Sequence, residues 1–166
     1  AQLTGECVGD VAACSTAGAM NIRNGQWNAE LCEVAGIDMT ILPHLHNPQD
    51  NIGTVTESAA QRTGFSAGTA VYAGIGDAGA TTLASGVSHP GQYNINIGTS
   101  GWIATVSPEP FTDKPGAANL AFGVEEGFVN AVPFLNAGDV HKWVTGVFAD
   151  GDYVEAHRLI EKIGRA

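Results

Sequence analysis

A chain of 166 residues, 44% of them hydrophobic, can bury one sizeable core, yet its 14% of charged residues falls well below the roughly 25% of an ordinary soluble domain. Its 17 acids against 7 bases give a net charge of −10, which excludes duplex nucleic acid as an expected partner, because phosphate neutralisation needs clustered Lys and Arg. No run approaches the roughly 18 apolar residues of a membrane span. The start shows no signal-peptide pattern. Cys7, Cys14 and Cys32 are odd in number and form no C-x-x-C pair, so they read as reduced thiols of a cytoplasmic protein.

In chain order, DVAACSTAGAM (residues 10–20) is rich in small side chains and predicts a tightly packed helix or turn, with Asp10 as a cap or a packing residue. Asn28 is placed to cap a short helix with an apolar face of Leu31, Val34 and Ala35, ended by Gly36. A loop with two prolines follows, in which His44 and His46 read as loop histidines for want of metal-site partners. Thr56 caps the next helix and Gly64 stops it. TAVYAGI (69–75) predicts a buried strand, and DAGATTLASGV (77–87) a helix of small residues ended by Gly86. QYNINIG (92–98) alternates, with Tyr93, Ile95 and Ile97 on one side and Asn94 and Asn96 on the other. The turn GTSG (98–101) leads into a second strand, GWIATVSP. A hairpin around Glu125-Glu126-Gly127 joins NLAFGV to FVNAVPFL. NAGDVHKWVTGVF (136–148) predicts a helix with Val140, Trp143, Val144 and Val147 in the core and Asp139 as its cap. DYVEAHRLIEKIG (152–164) predicts a last helix with Val154, Leu159, Ile160 and Ile163 inward. The texture is mixed α/β and changes near residues 86–91, which places a domain boundary between 1–86 and 87–166.

Two short stretches carry chemistry. Gly74, Gly76 and Gly79 stand in G-x-G-x-x-G spacing around Asp77. A Rossmann dinucleotide loop has this spacing, but Asp77 would repel the pyrophosphate, and no Asp or Glu lies between Asp77 and Glu109 to hold a ribose. The other reading makes Asp77 the functional group, delivered by a strand to a helix N-terminus and able to accept a proton from a hydroxyl. A plain helix cap is the structural alternative. Gly98-Thr99-Ser100 offers bare backbone and two hydroxyls to a phosphate, or is an ordinary hairpin turn.

Taken in order, these segments resemble the FGGY carbohydrate kinases, in their xylulokinase-like and gluconokinase-like branch. LTGECVGDVAACSTAG is similar to that family's L-T-G-x-x-x-x-D-x-x-x-A-S segment, and GQWNAEL to its W-x-x-E-L helix. ILPHL, IGTVTESAAQRTGF, GTAVYAGIGDAGATTLASGV, the GTSG turn and NAGDVHKW continue the resemblance. It implies a two-lobe actin-like, ribonuclease-H-like ATPase fold. Residues 1–86 would end a sugar-binding lobe and 87–166 begin a nucleotide-binding one, together the middle third of a longer enzyme. It also implies transfer of the γ-phosphoryl group of ATP, with Mg²⁺, to a xylulose-like ketose, polyol or aldonate. Asp77 would be the catalytic base, contacting sugar with Ala78 and Mg²⁺ through water. Gly98, Thr99 and Ser100 would hold the phosphates, with Gly138 of Asn136-Ala137-Gly138 beside the nucleotide. Ile75 replaces a frequent family glycine, and Ala78 a frequent Asn or Gln, which removes a sugar contact. A homodimer is the family-based expectation for assembly. A non-catalytic actin-like nucleotide-binding module is the alternative function.

Overall fold

The computed structural model describes residues 1–164. The chain divides into two compact units, one of Ala1–Asn94 with Ala104–Ala131 and the other of Ile95–Ile103 with Val132–Ala166. In the first unit, strand β1 (Val8–Asp10) pairs in parallel with β4 (His44–His46), Val8 opposite His44 and Asp10 opposite His46. Helix α1 (Val11–Cys14) starts at Asp10, whose carboxylate accepts from the Ala13 N–H at 2.9 Å, and a 3-10 turn, Ser15–Ala17, continues it. A small antiparallel pair, β2 (Met20–Asn21) and β3 (Gln26–Trp27), precedes α2 (Ala29–Val34). Buried Val11, Met20 and Ala121 form a core against which Cys14, Ile22, Trp27 and Leu45 pack. The Trp27 indole N–H donates to the Pro43 carbonyl at 2.8 Å, so its polar end is satisfied as its ring is covered.

Strands β5 (Asn51–Thr54) and β6 (Ala70–Tyr72) flank α3 (Glu57–Thr63) and pair antiparallel, Asn51 opposite Tyr72 and Thr54 opposite Ala70. Helix α4 (Asp77–Ala84) follows. Strands β7 (Tyr93–Ile97), β8 (Gly101–Ser107), β9 (Ala118–Ala121) and β10 (Phe128–Phe134) make one sheet in the order β7-β8-β10-β9. Phe128 lies opposite Ala121 and Ala131 opposite Ala118 across the antiparallel hairpin that Glu125-Glu126-Gly127 signals. In the second unit, α5 (Gly138–Ala149) turns at Asp150 and Gly151, both in left-handed backbone, into α6 (Tyr153–Ile163). Asp152 caps α6 by accepting from the N–H groups of Val154 and Glu155.

The local punctuation matches the expectations. Asn28 and Thr56 accept from the N–H groups of Leu31 and Ala59, and Gly64 and Gly86 are left-handed beyond their helices. Several faces do not. On α2 Cys32 is buried while Leu31 and Val34 are exposed, Val34 by 83%. Strand β6 is short, with Ala70 and Tyr72 exposed, and is not a buried strand. On β7 the alternation does not translate into one covered face: Asn94 is buried, while Tyr93, Ile95, Asn96 and Ile97 are exposed. Trp143 is 65% exposed, with Val140 and Val147 also open, and α5 buries Thr145 and Ala149 instead. On α6 Val154, Ile160 and Ile163 are exposed and Ala156 is buried. Val144 of α5 and Leu159 of α6 are half-buried. His44 and His46 lie in β4, held by its pairing to β1, and not in a loop. Asp139 sits in the first turn of α5 but does not cap it, the N-cap being Ala137 without a side-chain bond.

Candidate active site

Four residues, Ala73 to Gly76, connect β6 to α4. The Ala73 N–H donates to the Asp50 carbonyl at 3.1 Å and the Gly74 N–H to the Pro48 carbonyl at 3.0 Å. Gly76 N–H donates to Asp10 Oδ1 at 3.3 Å. The glycines of this stretch have separate causes. Gly74 has φ of +77°, which a side chain would strain. Gly76 lies on α1, where an added Cβ would sit 3.0 Å from Ala13 Cβ and 3.2 Å from Ala13 Cα. Gly79 is buried, and a Cβ there would come within 2.8 Å of Ile75 Cγ1. The strand leading into the loop is half of an antiparallel pair and not of a parallel βαβ unit, so the dinucleotide reading of the G-x-G-x-x-G spacing is corrected.

Asp77 is the first residue of α4 and is exposed. Gly76, not Asp77, is the N-cap. Asp77 Oδ1 accepts from the Ala78 N–H at 2.8 Å, and Thr81 Oγ1 donates to the Asp77 carbonyl at 2.6 Å. Asp77 lines a cavity of about 130 Å³ together with Ala12, Ala13, Thr16, Leu120 and half-buried Ala78. At about 30 Å³ per water, that space holds a few waters or one end of a small ligand. Ala78 offers only a methyl group to it. The structure therefore brings Asp77 and Ala78 together at an open pocket. The nearby Cys14 thiol has its pKa pushed up, first by burial and then by the negative charge of Asp10.

In the second unit, Gly98, Thr99 and Ser100 form the turn between β7 and β8, closed by a bond from the Gly98 N–H to the Ser100 carbonyl at 2.8 Å. The start of α5 seats this turn. Gly138 N–H donates to the Gly98 carbonyl at 2.8 Å, and Ala137 and Asp139 N–H groups donate to the Thr99 carbonyl at 3.0 and 3.4 Å. An added Cβ on Gly138 would lie 2.5 Å from the Gly98 oxygen, so only glycine fits. Thr99 and Ser100 are exposed. Gly138 thus joins the turn as its support. Its N–H is already bonded.

Among the described residues no group of three or more His, Cys, Asp or Glu side chains could hold a metal ion. His46 and Asp50 approach to 3.6 Å, but as a pair only. Asp10 is the residue that sequence reasoning left out of the site. The signal was present in the L-T-G-x-x-x-x-D segment, but its contact with Gly76 spans 66 positions and is invisible to local pattern.

The fold is that of the actin-like sugar-kinase ATPases. A xylulose kinase from Rhodospirillum rubrum aligns with a TM-score of 0.86 and 27% identity over 97% of this chain and 33% of its own. Residues 1–84 match the N-terminal domain of the FGGY family of carbohydrate kinases, and the chain belongs to that family. It is 32% identical to an autoinducer-2 kinase from Yersinia enterocolitica, over 95% of this chain and 30% of that protein. It is 28% identical to a gluconokinase from Bacillus subtilis, over 95% of this chain and 31% of that protein. The chain therefore spans about a third or less of these relatives.

Proposed function

We propose that these residues serve in ATP-dependent phosphorylation of a sugar hydroxyl, with Asp77 as the general base. The observation that carries the reading is an exposed carboxylate at the start of α4, on an open cavity, on a loop tied down at Ala73, Gly74 and Gly76. Phosphoryl transfer asks the protein mainly for alignment and charge stabilisation. Asp77 accepts the proton of the attacking hydroxyl as that oxygen bonds to the γ-phosphorus and ADP departs. The Gly98-Thr99-Ser100 turn, supported by Gly138, offers its two hydroxyls to the nucleotide phosphates. Mg²⁺ would enter with ATP as part of the substrate, neutralising phosphate charge, and Asp77 would meet it through a water.

Xylulose-like ketoses, polyols and aldonates are the proposed substrates, in keeping with relatives named xylulose kinase and gluconokinase. Residues 1–86 are assigned to the sugar-binding lobe and 87–166 to the nucleotide-binding lobe, an assignment that follows the family match ending at residue 84 and not the compact units, in which residues 104–131 group with 1–94. Three free thiols and the use of ATP favour the cytoplasm. A homodimer rests on family resemblance.

Asp77→Asn in the complete polypeptide that contains these residues is the test. Sugar-dependent ADP release should fall by about 10²–10⁴, the usual worth of a general base, with nucleotide affinity retained. A kcat within about tenfold of the parent rejects Asp77 as base. If the parent releases no ADP with any ketose, polyol or aldonate, the non-catalytic module replaces the kinase reading.

A further inference from the structure

We infer that Asp10 is a positioning residue for Asp77, an assignment that rests on the reading of Asp77 as the base. The loop carrying Asp77 has three hydrogen-bonded anchors. Two are main-chain carbonyls, Pro48 and Asp50, which hold its beginning at Gly74 and Ala73. The third is Asp10 Oδ1, a side-chain atom, bonded to the Gly76 N–H immediately before Asp77.

That one oxygen also accepts from the Ala13 N–H, at 2.9 Å against 3.3 Å for Gly76. It therefore joins the start of α1 to the start of α4. Asp10 is itself fixed at the end of β1, opposite His46 of β4, so the link runs from a paired strand through one carboxylate to the catalytic loop. Packing reinforces it, because Gly76 sits against Ala13 so closely that an added Cβ would lie 3.0 Å from Ala13 Cβ and push on it. Gly76 has the most backbone freedom of any residue type, and its N–H at a helix start has no partner within the helix. Without Asp10 the peptide preceding Asp77 loses its restraint while the far end of the loop stays anchored. The carboxylate then samples positions beside the productive one, and displacement of about 1 Å can cost about 10² in rate.

Capping and positioning can be separated by side-chain length. Serine caps helices about as well as aspartate but is shorter by one bond, so Asp10→Ser keeps the Ala13 contact and loses Gly76. Asparagine has the reach and an acceptor oxygen, so Asp10→Asn keeps both. In the complete polypeptide, Asp10→Ser should lower kcat about 10- to 100-fold, with both KM values and the melting temperature near those of the parent. Asp10→Asn should restore kcat to within about threefold. Amide hydrogen exchange over residues 73–78 should quicken in Asp10→Ser and return to the parent rate in Asp10→Asn. A role confined to capping predicts that the serine variant matches the parent in all of these. Parent-like kcat or unchanged loop exchange in Asp10→Ser overturns the assignment, as does an asparagine variant as impaired as the serine one. Asp77→Asn measured alongside keeps the two ideas apart. If that variant stays active, the base lies elsewhere. If it is dead while Asp10→Ser is fully active, only the role of Asp10 is lost.

Discussion

Two glycines of α5 should respond to the same substitution with opposite signs. Gly138 opens the helix with its missing Cβ aimed at the Gly98 carbonyl, 2.5 Å from the oxygen and 3.3 Å from the carbon. Those are backbone atoms, so no side chain can swing aside, and the 2.8 Å bond from the Gly138 N–H to that carbonyl must lengthen. Overpacking costs about 1–3 kcal/mol and a weakened hydrogen bond about 1 kcal/mol. Gly146 lies eight positions on in the same helix, is exposed, and has nothing within 4 Å of an added Cβ. There alanine gains helix propensity worth about 0.5–1 kcal/mol. The same gain offsets part of the loss at the helix start, leaving Gly138→Ala destabilised by about 2 kcal/mol. At roughly 2–4 °C per kcal/mol for a chain of this size, Gly138→Ala should melt about 4–8 °C lower and Gly146→Ala about 1–4 °C higher. Thermal unfolding followed by circular dichroism reads both. If Gly138→Ala also raises the melting temperature, the turn does not sit on the helix start as described, and its support of the proposed phosphate site goes with it.

Removing the Thr99 hydroxyl by Thr99→Val should raise the KM for ATP with little change in the KM for sugar, in steady-state kinetics of the complete polypeptide; an unchanged ATP KM reduces the turn to a structural hairpin. The cysteines should alkylate at mildly basic pH in the order Cys7, Cys14, Cys32, resolved by peptide mass spectrometry, because Cys7 is exposed, Cys14 is half-buried with its thiol pKa pushed up, and Cys32 is fully buried. The raised folded-state pKa of Cys14 also fixes a sign: its contribution to stability is present below the ordinary thiol value of 9.0 and is lost as pH climbs above it.

What the sequence revealed was mostly local. Asn28 and Thr56 cap their helices through bonds to residues three positions away, and such contacts are encoded within one turn. Asp77 was legible for the same reason, since a short strand, a glycine-rich loop and a helix start are consecutive in the chain. Burial was not local. In β7 Tyr93, Ile95 and Ile97 alternate with Asn94 and Asn96, but only packing decides what is covered, and of these five Asn94 alone is buried. In α5 the stripe is real, but Val140, Trp143 and Val147 are exposed and Val144 is half-buried. Ser15 shows the same limit, because its hydroxyl accepts from the Ala121 N–H across 106 positions, which no window along the chain can register.

The spacing G-x-G-x-x-G was the most recognisable pattern in the chain and the one most open to misreading, because one spacing can satisfy different physical demands. In a dinucleotide fold the glycines clear room for a pyrophosphate. Here Gly76 clears room for Ala13 of the neighbouring helix, Gly79 for Ile75, and Gly74 adopts a backbone angle that would strain a residue with a side chain. The small residues of α1, Ala12 and Ala13, complete the fit from the other side, and with Thr16 they line the cavity beside Asp77. Enlarging Ala13 or Gly76 would part α1 from α4 and stretch the 3.3 Å bond from the Gly76 N–H to Asp10. The glycines therefore bring two helix starts close enough for one carboxylate, Asp10, to hold the loop that presents the other, Asp77.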